Sequence, residues 1–179
     1  MFFNRVAVSL FEFILSVVMS GFVIYFTYRM FIHANPDFNM EDEIKKGNTA
    51  VGVLVGAILY SASTILQRGL GSVVNMFRMF MSAPGEQSMP AWQIILLSAA
   101  HLVLPLILAL FTISLTLRLF GRLSKKLQAG KELQKGNLAV GVLLAAVVIV
   151  ASQFVGEGVS AISKALVPQP NIGRIQILR

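Results

Sequence analysis

Four long apolar stretches, separated by polar segments, dominate the hydrophobic pattern of the chain. They cover residues 6–28, 49–67, 91–117 and 138–156. A helix that crosses a bilayer needs about 20 mostly apolar residues, and each stretch meets or approaches that length. Glu12 interrupts the first and His101 the third. The pattern predicts an all-α membrane protein with four transmembrane helices. The apolar run behind Arg5 extends to Arg29, long enough to span, so it is read as a retained span rather than a cleaved leader.

The polar segments differ from one another. Residues 29–46 hold Pro36 and the acidic run Glu41-Asp42-Glu43. Residues 82–90 are short and rich in Pro and Gly. Residues 118–135 carry six basic side chains against one acid, Glu132. The tail, residues 168–179, has two prolines and no long apolar run, and is expected to be extended.

A repeat is visible by eye. Lys46-Gly47-Asn48-Thr49-Ala50-Val51-Gly52-Val53-Leu54 returns as Lys135-Gly136-Asn137-Leu138-Ala139-Val140-Gly141-Val142-Leu143, an offset of 89. Held without gaps over residues 43–69 and 132–158, the offset gives 13 identities in 27 positions. It also survives backwards, at Phe22/Phe111, Thr27/Thr116 and Arg29/Arg118. Apolar composition alone does not hold register across a polar loop. The expectation is two tandem copies of one helical hairpin, residues 1–80 and 81–167, followed by the tail. Each copy crosses twice, so both would share one orientation, related by a pseudo-two-fold axis along the membrane normal.

These residues carry a resemblance. With the paired Lys-Gly-Asn-x-Ala-Val openings of the second and fourth helices, four spans and its length, the chain resembles the bacterial domain-of-unknown-function 350 family, from about Glu12 to Ala165. The resemblance implies a bacterial inner-membrane location and no particular reaction.

Composition narrows the chemistry. The chain is 56% hydrophobic and 13% charged, about half the charge of an ordinary soluble domain. The net charge of +7 reads as membrane topology rather than nucleic-acid binding. Nine basic residues fall with the two hairpin loops and six with the opposite side, which places the loops in the cytoplasm and both termini in the periplasm. The chain has no cysteine and two histidines, so thiolate chemistry is excluded, and neither a metal nor another cofactor is expected. No P-loop, G-x-S-x-G or H-E-x-x-H pattern occurs, and no enzyme is expected.

Four groups of residues stand out. Gly52 and Gly56, with Gly141 and Ala145, are small residues four apart, which permit close helix contact in lipid; the alternative is a path lined by the second and fourth helices. Asn48 and Asn137 sit where loop becomes helix, as N-caps do, or as a pair of ion ligands. Arg68 and Glu157 are counterparts of opposite charge, each 21 residues beyond its glycine, roughly 31 Å of helix and near the outer boundary. Glu12 and His101 are also counterparts, on the same outer half. Together these four could form a polar intramembrane cluster able to handle an ion or a proton, or they could be structural. Pro105, four residues after His101, is placed to kink the third helix and free a carbonyl.

The basic loop, Arg118, Arg122, Lys125, Lys126, Lys131 and Lys135, suits anionic headgroups or an acidic partner. The expected function is a non-catalytic scaffold or subunit of a membrane complex, forming homo-oligomers. The alternative is a small channel or transporter built on the polar cluster.

Overall fold

The structure is a computed structural model that describes residues 2–33, 39–82 and 90–166. The proline of the first connection, most of the second connection and the tail at 168–179 lie outside the described residues. Among the described residues the fold is all helical. Helix α1 is Phe2–Thr27, continued by a wider π turn, Tyr28–His33. Then come α2 (Met40–Lys45), α3 (Thr49–Ser82), α4 (Ala91–Leu123), α5 (Ala129–Gln134) and α6 (Leu138–Leu166). Helices α1, α3, α4 and α6 are long and apolar enough to cross a membrane.

Three of these helices outrun their apolar stretches. The third polar segment does not begin at residue 118, because α4 continues to Leu123. Helix α3 continues to Ser82, about 51 Å at 1.5 Å per residue. Its last turns bury Val73, Val74 and Met76, and Phe77 stacks on Phe11 of α1 at 4.1 Å between centroids. Arg68, Asn75 and Arg78 dilute the hydropathy there, and all three lie exposed on the helix surface.

The two segments read as loops each hold a short helix at the foot of a long one. Asn39 caps α2, its side chain accepting from the backbone N–H of Glu41 and Asp42. Three acids in the first turn and Lys45 in the last suit the helix dipole. Gly47 and Gly136 close α2 and α5 with φ of +81°, a left-handed conformation that glycine adopts without a Cβ clash.

Helix α3 is central. It packs against α1, α4 and α6, and α6 packs against α4. Its core residues Ala50, Leu54, Ile58, Ile65 and Leu66 are buried. Helices α3 and α6 run the same way. Gly141 meets Ala50 at one end, and Gly156 meets the Arg68 stem at the other. A two-fold between the hairpins would make every contact between them occur twice. The contacts are instead one-sided: α3 packs against α4, while no extended contact joins their counterparts α6 and α1.

Candidate functional site

The polar chemistry gathers at the feet of α3 and α6. There a pattern of local bonds occurs twice, 89 residues apart. Lys46 Nζ donates to Glu43 Oε1 at 2.9 Å, and Lys135 Nζ to Glu132 Oε1 at 2.9 Å. Asn48 Nδ2 donates to the other Glu43 oxygen at 3.1 Å, and Asn137 Nδ2 to that of Glu132 at 3.0 Å. Backbone N–H groups of Asn48 and Asn137 donate to the carbonyls of Glu43 and Glu132, both at 2.9 Å. Each Glu-x-x-Lys-Gly-Asn run thus ties a short helix to the start of a long one.

The two asparagines then diverge. Asn48 Oδ1 accepts from Val51 N–H at 3.2 Å, as an N-cap does. Its Nδ2 also donates to the carbonyl of Leu133 at 2.9 Å, bridging to α5. Asn137 makes neither contact among the described residues. Its backbone carbonyl accepts from Val140 and Gly141 at 3.1 Å. The link from Asn48 to Leu133 sets both polar feet side by side at one end of the molecule.

Lys46 and Asn48 hold the Glu43 carboxyl below its ordinary 4.5; Asn137 and Lys135 do the same for Glu132. A carboxylate stabilised in this way supports the fold above pH 4.5. That support is lost as pH falls below 4.5 through the depressed folded value. Amide exchange at the first turns of α3 and α6, measured against other amides, should therefore accelerate below pH 4.5. Glu43→Gln should remove that pH dependence at α3 alone.

The four residues proposed as one outer cluster separate. Arg68 and Glu157 do meet, Nη2 to Oε1 at 2.8 Å, with both side chains substantially exposed. His101 is buried on α4, its Nδ1 2.7 Å from the carbonyl of Leu97 and its Nε2 3.3 Å from that of Ser163. Both neighbours are acceptors, and a neutral ring has one N–H to offer. Glu12 is exposed on α1, without a hydrogen bond or ion pair among the described residues. A shared register and a shared half of the bundle bring counterparts together only where the hairpins pack reciprocally.

The small residues divide likewise. Gly141 and Ala145 are buried against α3, whereas Gly52 and Gly56 are exposed, with nothing within 4 Å of an added Cβ. A close approach of α3 to α4 has no signal in the sequence. It is at Gly69, which lies against the carbonyl of His101 and Pro105 Cγ. Pro105 has no N–H, so the His101 carbonyl, four residues earlier, loses its helical donor. Glycine lets α3 come up to it. The proline at 105 hinted at the freed carbonyl but not at its neighbour.

Among the six basic-loop residues, Lys125 and Lys126 lie in a single tight turn between α4 and α5. Arg118, Arg122, Lys131 and Lys135 are exposed with them. Among the described residues, no three His, Asp or Glu side chains converge as a metal site would require. A family model described as Domain of Unknown Function (DUF350) matches residues 5–159. The chain belongs to the DUF350 family. The match takes in α1 to α5 and most of α6, and reaches nearer the N-terminus than the Glu12 start of the resemblance. No curated protein and no solved structure matches this DUF350 chain.

Proposed function

We propose that this chain is an integral protein of the bacterial inner membrane, built by tandem duplication of a helical hairpin. It acts without catalysis, as a scaffold or a subunit of a larger membrane complex. The observation that carries this reading is the joined polar foot. Two charged short helices are bonded to the same end of a bundle whose remaining surface is largely apolar. Exposed side chains such as Phe13, Ile95, Phe111 and Phe154 suit lipid as solvent and would be a liability in water. In this reading the foot lies in the cytoplasm and both termini in the periplasm. The basic loop contacts anionic headgroups, and no metal or cofactor takes part.

The local structure supports duplication. Helices α2 and α5, and the starts of α3 and α6, fall 89 residues apart, with the same glycine conformation and the same Lys–Glu bond. Purification from native membranes in lipid-preserving conditions tests the role. A scaffold brings a partner with it, and neutralising Lys125, Lys126 and Lys131 releases that partner. Recovery of the chain alone in both forms contradicts the reading.

A channel or transporter is the second reading. The observation in its favour is a cavity of about 110 Å³ between α1 and α3, lined in part by Ser16, Ser20, Ser63 and Gln67. It predicts solute flux in liposomes, lost in Glu157→Gln or His101→Ala while the protein stays folded.

A further inference from the structure

Apart from the Arg68–Glu157 pair, whose counterpart is itself, the close contacts between the two hairpins run in one direction. On the first hairpin, Asn48, Ala50 and Gly69 meet Leu133, Gly141 and the His101–Pro105 turn of the second. Shifted by 89 residues, the same contacts would join Asn137, Ala139 and Gly158 to Ile44, Gly52 and the turn from Glu12 to Ser16. None of these forms within the chain. Gly52 and Gly158 have nothing within 4 Å of an added Cβ, and α1 lacks extended contact with α6.

Two unused surfaces result, each the counterpart of a used one. On α6, Leu143, Val150 and Phe154 are 44%, 51% and 76% exposed, while their counterparts Leu54, Ser61 and Ile65 on α3 are 1%, 0% and 0%. Between α1 and α3 lies the groove of Ser16, Ser20, Ser63 and Gln67. Its counterpart, between α4 and α6, comprises Pro105, Ala109, Ser152 and Gly156, all buried because α3 fills it. The open groove is thus the socket for a helix like α3. The helix in the chain most like α3 is α6, which within one chain packs against α3 without extended contact to α1 and so leaves the groove open.

We propose that copies of this chain assemble head to tail, the open face of α6 in one copy seated in the α1–α3 groove of the next. Each junction then repeats the interface already present inside the chain. One-way contacts close into rings when the rotation returns to its start, and copies sharing one membrane orientation rotate about the membrane normal. Closure also removes Ser16, Ser20, Ser63 and Gln67 from lipid, where exposed polar side chains are costly. Arg68 and Glu157 are each other's counterparts, so every junction sets Glu157 beside the next copy's Arg68. The separate ion pairs thereby become a closed belt of alternating charge.

This inference rests on reading the helices as spans and the hairpins as copies. The natural chain has no cysteine, which permits a direct test. Inside the chain, Gly156 abuts Arg68, and the counterpart contact is Glu157 of one copy against Gln67 of the next. Gln67→Cys and Glu157→Cys are made on separately tagged copies, co-expressed and oxidised in the membrane. The expected result is a cross-linked pair from the mixture and none from either variant alone. Adding Gly52→Leu to the Gln67→Cys copy, where the fold leaves room for it, should abolish the pair. Cross-links from one variant alone would indicate a two-fold contact and overturn the proposal. So would a mixture without cross-links, or lipid-extracted particles holding one copy each. If Lys45→Cys and Gln134→Cys still label from one membrane face, such a failure sinks the assembly and leaves the membrane reading standing.

Discussion

Gly141→Leu should detach the second hairpin from the first. A Cβ at Gly141 would lie 2.6 Å from the Ala50 carbonyl oxygen and 2.8 Å from its Cα. Both are backbone atoms in the buried first turn of α3, so no rotamer relieves the clash. Overpacking of this kind costs about 1–3 kcal/mol or more, and here it also opens the Asn48 bridge one turn away. The thermal unfolding midpoint of the solubilised protein should fall by many degrees, with helicity retained within each hairpin. Gly52→Leu, at the counterpart position, meets nothing within 4 Å and should leave the midpoint of a single chain nearly unchanged. Equal losses for the two would contradict the one-sided packing.

Gly69→Val should be as damaging at the other half of the bundle. The added Cβ would run into the His101 carbonyl and lie 2.5 Å from Pro105 Cγ. A separated α3 and α4 would leave that carbonyl with neither a helical N–H nor the α3 backbone against it. They would also loosen His101, whose ring bonds to α6 through Ser163. Its counterpart Gly158→Val is open within one chain by the same measure and should leave the midpoint of a single chain nearly unchanged. Comparing the two midpoints checks the prediction, and a mild effect at Gly69 would show that α3 can slide along α4.

The glycine pairs also mark where sequence reasoning stops. Hydropathy located the four helices long and apolar enough to cross a membrane, because lipid imposes a length and a composition on any helix that crosses it. Lys-Gly-Asn occurs twice in the sequence, and the same local bonds form around Glu43 and Glu132. Helix α2 was there to be read in Asn39 and the acids after it, but its six residues lie below any hydropathy window. Which face of a helix docks is a different matter. Gly52 and Gly141 look alike in sequence, yet one is exposed and the other touches a backbone. The same limit separated Glu12 and His101, identical in register and different in surroundings. Arg68 and Glu157 could be paired from sequence because each is the other's counterpart, so their positions match whichever way the hairpins dock.

The claim on which the rest depends is that four spans place both charged feet on one membrane face, and the most direct measurement is sidedness. Lys45→Cys and Gln134→Cys, both at exposed positions, are treated with a membrane-impermeant maleimide in spheroplasts and in inverted vesicles. The account predicts that both label in inverted vesicles and neither labels in spheroplasts. One residue labelling from each side would contradict it.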